Sequence, residues 1–264
     1  MNRLLKNVAV YSKDRISLDE VTLDTYISTD NLLQNKLGKQ RAEKLPPNGG
    51  NVTKYNEGDI LISNIRPYLK KIWLAKYSGG SSSDVLTFKV NEEFDSTFVY
   101  YALFRDDFFR HMMQGSKGTK MPRGDRDQIL DFPIPDFNIA NQKKIARVLA
   151  SLDAKIEQNN KIETKLEEGA KLIYDYWFVQ FEFPDKNSKP YKSSGGKMVF
   201  NKELKRSIPE GWCVGNLLDI AIFTNGLACQ KYRPIDENYL KVIKIKEMKE
   251  GFSSKTEKVK VDVP

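Results

Sequence analysis

Cysteine and histidine are scarce in this chain of 264 residues, which contains two cysteines and one histidine. Cys213 and Cys229 are too few for a disulfide framework or a four-ligand zinc site. His111 alone cannot supply a Ser-His-Asp arrangement, and its place in an aromatic-rich stretch favours a structural or surface position. We therefore expect no metal, no cofactor and a reducing, cytoplasmic location.

Long apolar runs and nucleotide-binding motifs are also missing. No stretch approaches the roughly 20 apolar residues that cross a bilayer, and the charged N-terminus does not resemble a signal peptide. The sequence has no GxxxxGK[ST] loop, and its "LPPNGG" does not provide the Asn/Asp-Pro-Pro-aromatic motif of a DNA methyltransferase. We find no candidate catalytic residue and interpret the chain as a binding protein. The alternative, an enzyme with an unrecognised site, would be tested by methyl-donor binding.

Basic residues are in excess, with a formal net charge of +8. Such an excess suits a polyanionic partner such as nucleic acid, although lysine can equally serve solubility.

Residues 1–137 have a mixed α/β pattern. Short strands are expected at 60–62, 72–75 and 85–90, with a turn at Pro67 between the first two. One helix is expected over 96–115 and ends at Gly115. A glycine-punctuated basic loop follows at 116–127, and the prolines of 132–137 predict an extended segment.

Residues 138–183 predict one long helix, because no proline occurs between Pro135 and Pro184 and Asp136 or Asn138 can cap the start. About 40 helical residues would extend about 60 Å. Steps of four and three connect Ile145, Leu149, Leu152, Ile156, Asn159, Glu163, Leu166, Ala170, Ile173 and Trp177. This heptad spacing favours a coiled coil over a single amphipathic helix on a domain surface. In a coiled coil the two polar positions, Asn159 and Glu163, would fix the register of the helices.

Residues 184–207 are rich in Gly, Ser, Pro and Lys, which predicts a linker, and residues 208–264 begin a new unit. This unit opens like the first: "LKNVAVYS" at 5–12 aligns with "LLDIAIFT" at 217–224. A weaker match sets "YISTDNL" at 26–32 opposite "VIKIKEM" at 242–248.

Four segments in this order resemble the specificity (S) subunit of type I restriction–modification systems. They are "EGDILISNIRPYLKK" (57–71), "DFPIPDFNIANQKKIARVLASLDAKIE" (131–157), "IYDYWFVQFEFP" (173–184) and "IPEGW" (208–212). The second departs from the family pattern, since Asn141-Gln142 stands for the usual Glu-Gln and Pro135-Asp136 for the usual proline pair.

The resemblance implies a mixed α/β (α+β) target recognition domain, a long coiled-coil-forming helix that docks the modification subunit, and a partial second recognition domain. It further implies double-stranded DNA as the ligand, half of a split target as the sequence read, and methyltransferase (M) and restriction (R) subunits as partners. A full S subunit has a complete second domain and helix. We therefore expect either a truncated half-subunit or a homodimer through the long helix that reads a palindromic split site.

Candidate DNA contacts are polar and basic residues on loops, where side chains can reach base edges or phosphates. They are Thr29 and Asn31; Asn64, Arg66, Tyr68, Lys70 and Lys71; and Ser116, Lys117, Thr119, Lys120, Arg123 and Arg126. For each residue the alternative is a solvated surface position. For the whole chain the alternative is a coiled-coil adaptor without a DNA role, which binding to duplex DNA would distinguish.

Overall fold

The structure, a computed structural model, describes residues 2–47, 49–118, 120–223, 226, 228–235 and 237–262. It divides into two units, Met1–Glu168 and Gly169–Pro264, and the long helix runs through the boundary.

The first unit contains ten short strands and the first three helices among its described residues. The strands are β1 Asn2–Leu4, β2 Ala9–Tyr11, β3 Arg15–Ser17, β4 Tyr26–Ile27, β5 Asn51–Tyr55, β6 Ile60–Ser63, β7 Ile72–Leu74, β8 Gly79–Ser81, β9 Val85–Val90 and β10 Pro133–Pro135. The helices are α1 Ser96–Leu103, α2 Asp106–Gln114 and α3 Arg126–Ile129. The mixed α/β class and the three predicted strands are confirmed.

Two four-stranded sheets organise this unit. One has the order β2-β9-β6-β7 and is antiparallel, and the other has the order β3-β5-β8-β4 with β4 and β8 parallel. In β6, Ile60 and Ile62 face a core shared with α1 and α2, whereas Leu61 faces a second core that includes Trp73. Because both faces of β6 are covered, its sequence is a continuous apolar run without alternation.

The helix predicted over 96–115 is two helices, so that prediction is wrong. Arg105 is extended (φ −69°, ψ 149°) and separates α1 from α2, while Asp106 and Asp107 begin the second helix. Acidic side chains in a first turn interact favourably with the positive end of the helix dipole, which favours a new start there. Gly115 follows the end of α2, as predicted.

The long helix α4 spans Ile139–Tyr174 and continues as a π-helical turn over Asp175–Val179. Its 36 residues extend about 54 Å at 1.5 Å per residue. Of the two predicted caps, Asn138 is the one used, since its Oδ1 accepts from the Asn141 backbone N–H at 2.9 Å. The predicted long helix is confirmed, with an end earlier than residue 183.

In the second unit, the segment predicted as a linker is partly a hairpin. Strands β11 Met198–Asn201 and β12 Arg206–Pro209 pair antiparallel. The ring of Tyr191 stacks on that of Phe183 with centroids 4.7 Å apart, which gives this stretch an aromatic contact that its polar composition did not reveal. The unit also contains α5 Leu217–Ile220, β13 Tyr239–Lys241, α6 Ile245–Glu250 and β14 Lys258–Lys260.

The predicted repeat is reproduced only in its first stretch. Leu5–Asn7 is a helical turn before strand β2, and Leu217–Ile220 is a helical turn before an extended Ala221. The second stretch differs, because 26–27 is a strand whereas α6 begins at Ile245. Leu5 is buried, whereas its counterpart Leu217 is 66% exposed, so the two stretches differ in their packing.

Candidate nucleic-acid interface

The turn between β6 and β7 is held in an unusual backbone conformation. Arg66 (φ 51°) and Lys70 (φ 52°) are both left-handed and flank a 3-10 turn over Pro67–Leu69. Left-handed backbone is unfavourable by about 1–2 kcal/mol for a residue with a Cβ, so two such residues in five mark this turn as a strained feature. Strain of this kind concentrates at functional sites.

The basic loop at 116–126 pairs with this turn. The Arg66 backbone N–H donates to the Pro122 carbonyl oxygen at 2.8 Å, and the Gly124 N–H donates to the Asn64 carbonyl oxygen at 3.2 Å. Gly124 is needed here, because a Cβ at this position would lie 2.9 Å from Asn64 Oδ1. The two predicted groups, about 50 residues apart in sequence, therefore form one surface.

The third predicted group joins the same surface through Lys71. Its Nζ donates to the Thr29 carbonyl oxygen. Burial, followed by the neighbouring charge of Arg66, holds the pKa of Lys71 below its usual value, while the charge of Asp30 opposes this shift. We call the combined surface, residues 28–31, 64–71, 116–118 and 120–126, the loop surface.

Asn31 belongs to the framework of this surface rather than to its exposed groups. It is 3% exposed, and its amide donates to the Tyr26 and Gln40 carbonyl oxygens and accepts from the Ser28 N–H. In this conformation Asn31 cannot present its amide to a base, which corrects the prediction for that residue. The sequence around Asn31 did not indicate that the backbone of the loop would enclose its side chain.

Several cations of the loop surface have acidic partners within the chain. Lys117 Nζ lies 3.2 Å from Asp125 Oδ2, Arg123 lies 3.1 Å from Asp84 Oδ1, and Lys70 Nζ lies 3.0 Å from Asp106 Oδ2. These are exposed pairs, which are weak in water and can be exchanged for phosphate contacts. Lys120 is exposed, and Thr119 lies outside the described residues.

The other predicted residues differ in their exposure and in their hydrogen-bond partners. Tyr68 is 50% exposed, Arg126 donates to the Ser83 carbonyl oxygen at 3.2 Å, and the Ser116 hydroxyl donates to the Met113 carbonyl oxygen at 2.8 Å. Asn64 is 8% exposed, and its Oδ1 has no hydrogen-bond donor within the described part of the chain. The buried Nε of Arg66 likewise has no hydrogen-bond acceptor among the described residues. Buried polar atoms without partners are rare in folded proteins, so these two atoms mark the turn as a candidate position for a water or a ligand.

Asp106 anchors the turn and was not predicted. Its carboxylate accepts from Lys36 Nζ at 2.6 Å and pairs with Lys70. These two hydrogen bonds lower the pKa of Asp106 to about 2. The three residues lie far apart in sequence, so only the folded chain reveals their contact.

The single histidine contacts the framework behind this surface. His111 Nε2 is hydrogen-bonded to the Gln128 carbonyl oxygen at 2.8 Å, and its ring lies 5.5 Å from that of Phe132. Among the described residues no cluster of His, Cys, Asp and Glu has the geometry of a metal site. Nor does any described helix have the length and apolarity to cross a membrane.

The second predicted feature, the apolar stripe of α4, is open over most of its length. Leu152, Ile156, Leu166 and Ile173 are 51% to 68% exposed, and Trp177 is 36% exposed. Asn159, Glu163 and Ala170 are exposed as well. Ile145 is different, because it packs against the core of its own domain, and Leu149 is half-buried. Ile145 is therefore partly covered by its own domain, and its predicted place in a helix-packing seam stays a prediction.

Val148 and Ile162 extend the stripe and were missed. They are 61% and 47% exposed and lie on the same side of the helix as Leu152 and Leu166 at 3.6 residues per turn. The heptad count started from Ile145 and so followed one edge of the stripe. We call Val148, Leu152, Ile162, Leu166 and Ile173 the open stripe.

A rigid sheet domain that displays basic loops is an arrangement suited to recognising nucleic acid. The family model described as "Type I restriction modification DNA specificity domain" matches residues 5–168, and the chain belongs to this family.

Two relatives come from Methanocaldococcus jannaschii. The chain is 30% identical to the type I restriction enzyme MjaIX specificity subunit over 131 residues, which are 50% of this chain and 28% of the relative. It is 29% identical to the MjaVIII specificity subunit over 190 residues, 72% of this chain and 41% of the relative. The chain thus spans less than half the length of either curated relative.

Solved structures give a similar comparison. The HsdS subunit of Thermoanaerobacter tengcongensis matches with a TM-score of 0.46 and 19% identity, over 75% of this chain and 52% of that one. The type I S subunit of M. genitalium matches with a TM-score of 0.48 and 15% identity, over 68% and 46%.

Proposed function

We propose that this chain is the DNA-recognition subunit of a type I restriction–modification complex and reads one half of a split target through the loop surface. The observation that carries this proposal is the convergence of three polar loops around the strained turn at Arg66–Lys70. Side chains on loops of a rigid scaffold can be held in register with base edges.

The chain contributes recognition rather than catalysis in this proposal. Methyl transfer and DNA cleavage belong to M and R subunits, which the relatives' designation as restriction enzyme specificity subunits supports. The open stripe is the surface for association, because contiguous exposed apolar side chains on a helix mark protein interfaces.

We further propose that two copies pair antiparallel through α4, which would place two recognition domains on one palindromic split site. This proposal is supported by the single recognition domain matched by the family model, residues 5–168, and by the heptad spacing of the open stripe.

Salt dependence tests the DNA role. If Lys117 and Lys120 neutralise phosphates, replacing both with alanine should weaken binding to every duplex alike and reduce the slope of log K against log salt by about 2. Lys186→Ala/Lys189→Ala, a pair of lysines outside the loop surface, is the matched control and should leave the slope unchanged. An unchanged slope in the first variant removes the loop from the interface, and a wild-type chain that binds no duplex DNA favours the adaptor alternative.

A further inference from the structure

The root of α4 is fixed firmly to the recognition domain. Gln142 is 1% exposed; its Oε1 accepts from the Asp95 N–H at 2.9 Å, and its Nε2 donates to the Phe137 carbonyl oxygen at 2.7 Å. Ala146 lies in the main core. After Ala146 no described residue of the helix up to Glu168 is buried.

Beyond this root, the helix and the domain are separated by a cleft. Its volume is about 950 Å³, and it lies between the Trp73–Lys76 and Thr97–Phe104 region of the domain and residues 150–168 of the helix. Because no described residue of the helix between Ala146 and Glu168 is buried, apolar packing holds the helix to the domain only at its root.

Two polar contacts cross the cleft. Tyr101 Oη donates to Asp153 Oδ2 at 2.7 Å, and Lys76 Nζ lies 3.2 Å from Glu157 Oε2. They lie seven and eleven residues beyond Ala146, or about 10 Å and 16 Å along the helix. Both acceptors are on the side of the helix roughly opposite the open stripe, so neither contact interferes with a partner helix.

A small pivot at the root would move the far end of the helix by a distance that matters on DNA. Ala146 and Glu168 are 22 residues apart, which is about 33 Å of helix. A rotation of about 10° at the root would displace Glu168 by about 6 Å, or nearly two base pairs at about 3.4 Å each. If the angle between the helix and the domain varied, the separation of DNA half-sites that the helix sets would therefore vary as well.

We propose that Tyr101 and Lys76 are positioning residues that, through Asp153 and Glu157, hold α4 at one angle to the recognition domain and so set which separation of DNA half-sites the protein accepts. The inference rests on the proposed function for its DNA consequence, whereas the mechanical part concerns this chain alone. The Tyr101 contact is the less screened by water of the two, because its donor is partly buried whereas the Lys76 side chain is 69% exposed.

The variant Tyr101→Phe/Lys76→Met removes both contacts and keeps the size of the side chains. The matched control is Tyr100→Phe/Lys161→Met. The Tyr100 hydroxyl makes no hydrogen bond to the described residues, and Lys161 pairs with Glu157 from within the helix at 2.8 Å. The control thus makes the same chemical changes beside the same cleft without releasing the helix from the domain.

The joint is measured by the distance distribution between spin labels at Glu92→Cys and Glu168→Cys, in the full chain with Cys213 and Cys229 replaced by serine. We expect the distribution to broaden by several ångströms in Tyr101→Phe/Lys76→Met and to stay narrow in the control. An equally narrow distribution in both overturns the inference. Should the double variant fail to fold, Lys76→Met alone carries the same test, because it changes an exposed side chain.

The DNA consequence is measured with duplexes that carry the half-sites of the wild-type target at stepwise separations. We expect the preference for the best separation over its neighbours to fall about ten-fold in the variant, the order of one lost base contact. A wild-type chain with no preferred separation contradicts the proposed function. A wild-type preference that the variant keeps overturns this inference alone.

Discussion

At the scale of single residues, the turn at Arg66 is the feature that most needs explanation. Two cationic residues in left-handed backbone persist because both ends of the turn are held by backbone hydrogen bonds. The Arg66 N–H donates to the Pro122 carbonyl oxygen at 2.8 Å, and the Lys70 carbonyl oxygen accepts from the Lys36 N–H at 2.9 Å. Such rigidity suits side chains that must meet base edges within a fraction of an ångström.

Arg66 is expected to carry base-specific recognition. Replacing it with alanine should weaken binding by about 1–3 kcal/mol at one base-pair position and leave the other positions unchanged. Binding to a set of duplexes with single base-pair changes measures this effect. Arg15→Ala, on strand β3, is the control and should not alter the profile. A uniform loss across all duplexes for Arg66→Ala would make Arg66 a phosphate contact instead.

The lowered pKa of Asp106 predicts how the free energy of unfolding depends on pH. Its pKa is lowered to about 2 by Lys36 and Lys70, against about 3.9 in an unfolded chain. The stabilisation is therefore complete above pH ~5 and is lost as the pH falls from ~5 to ~2. The difference in urea midpoint between wild type and Asp106→Asn should be constant above pH ~5 and shrink on acidification. In a Lys36→Met/Lys70→Met background the same substitution should show no such pH dependence; if the dependence persists, these lysines do not cause it.

Residue type alone identified the loops but not the role of each member. Arg66, Tyr68 and Lys117 were predicted as DNA contacts because basic and polar residues cluster in turns. The structure brings their loops together, and their contact with DNA stays a prediction. Asn31 and Asp106 could not be assigned, because the carbonyl groups around Asn31 and the lysines around Asp106 come from distant positions in the chain.

At the scale of elements, local signals located most of the strands and the long helix. Strand β9 was visible as a run of β-branched and aromatic residues, and α4 was visible because proline is absent and apolar residues recur every three or four positions. The break at Arg105 was not visible, since helical spacing continues across it. The hairpin β11–β12 was hidden by glycine, serine and lysine in the preceding stretch.

Replacing Gly169 with alanine is expected to have opposite effects on the stability of the chain and on its association with a partner helix. A Cβ at this position would meet no atom within 4 Å, so Gly169→Ala should stabilise the dilute chain by about 1 kcal/mol through helix propensity. Thermal unfolding at low concentration measures this gain, and Ala170→Gly should give a loss of similar size. If a partner helix approaches at Gly169, the same alanine should weaken association in sedimentation. A dilute chain that gains no stability from alanine contradicts the open environment of Gly169.

At the scale of the whole molecule, the two faces of α4 have different tasks. Asp153 and Glu157 face the cleft of their own domain, whereas the open stripe lies on roughly the opposite side and is unoccupied by any described residue. A helix used only to cover its own domain would show the reverse pattern, with apolar residues inward and polar residues outward. The arrangement therefore favours an element that connects the domain to a partner.

The open stripe predicts that a charge at Leu166 strongly weakens self-association. Leu166→Glu should weaken a dimer by about 100-fold or more, because a buried leucine contributes about 1.5–3 kcal/mol and the carboxylate must also be desolvated. Leu172→Glu is the matched control: Leu172 is 69% exposed against 68% for Leu166, but it lies about 120° away around the helix. Sedimentation of both variants against wild type measures the effect. Equal losses in the two variants would mean that exposed apolar area in general, and not this stripe, drives association. A wild-type chain that stays monomeric, both alone and with its M subunit, would contradict the symmetric pairing. It would also contradict the palindromic target that the pairing implies.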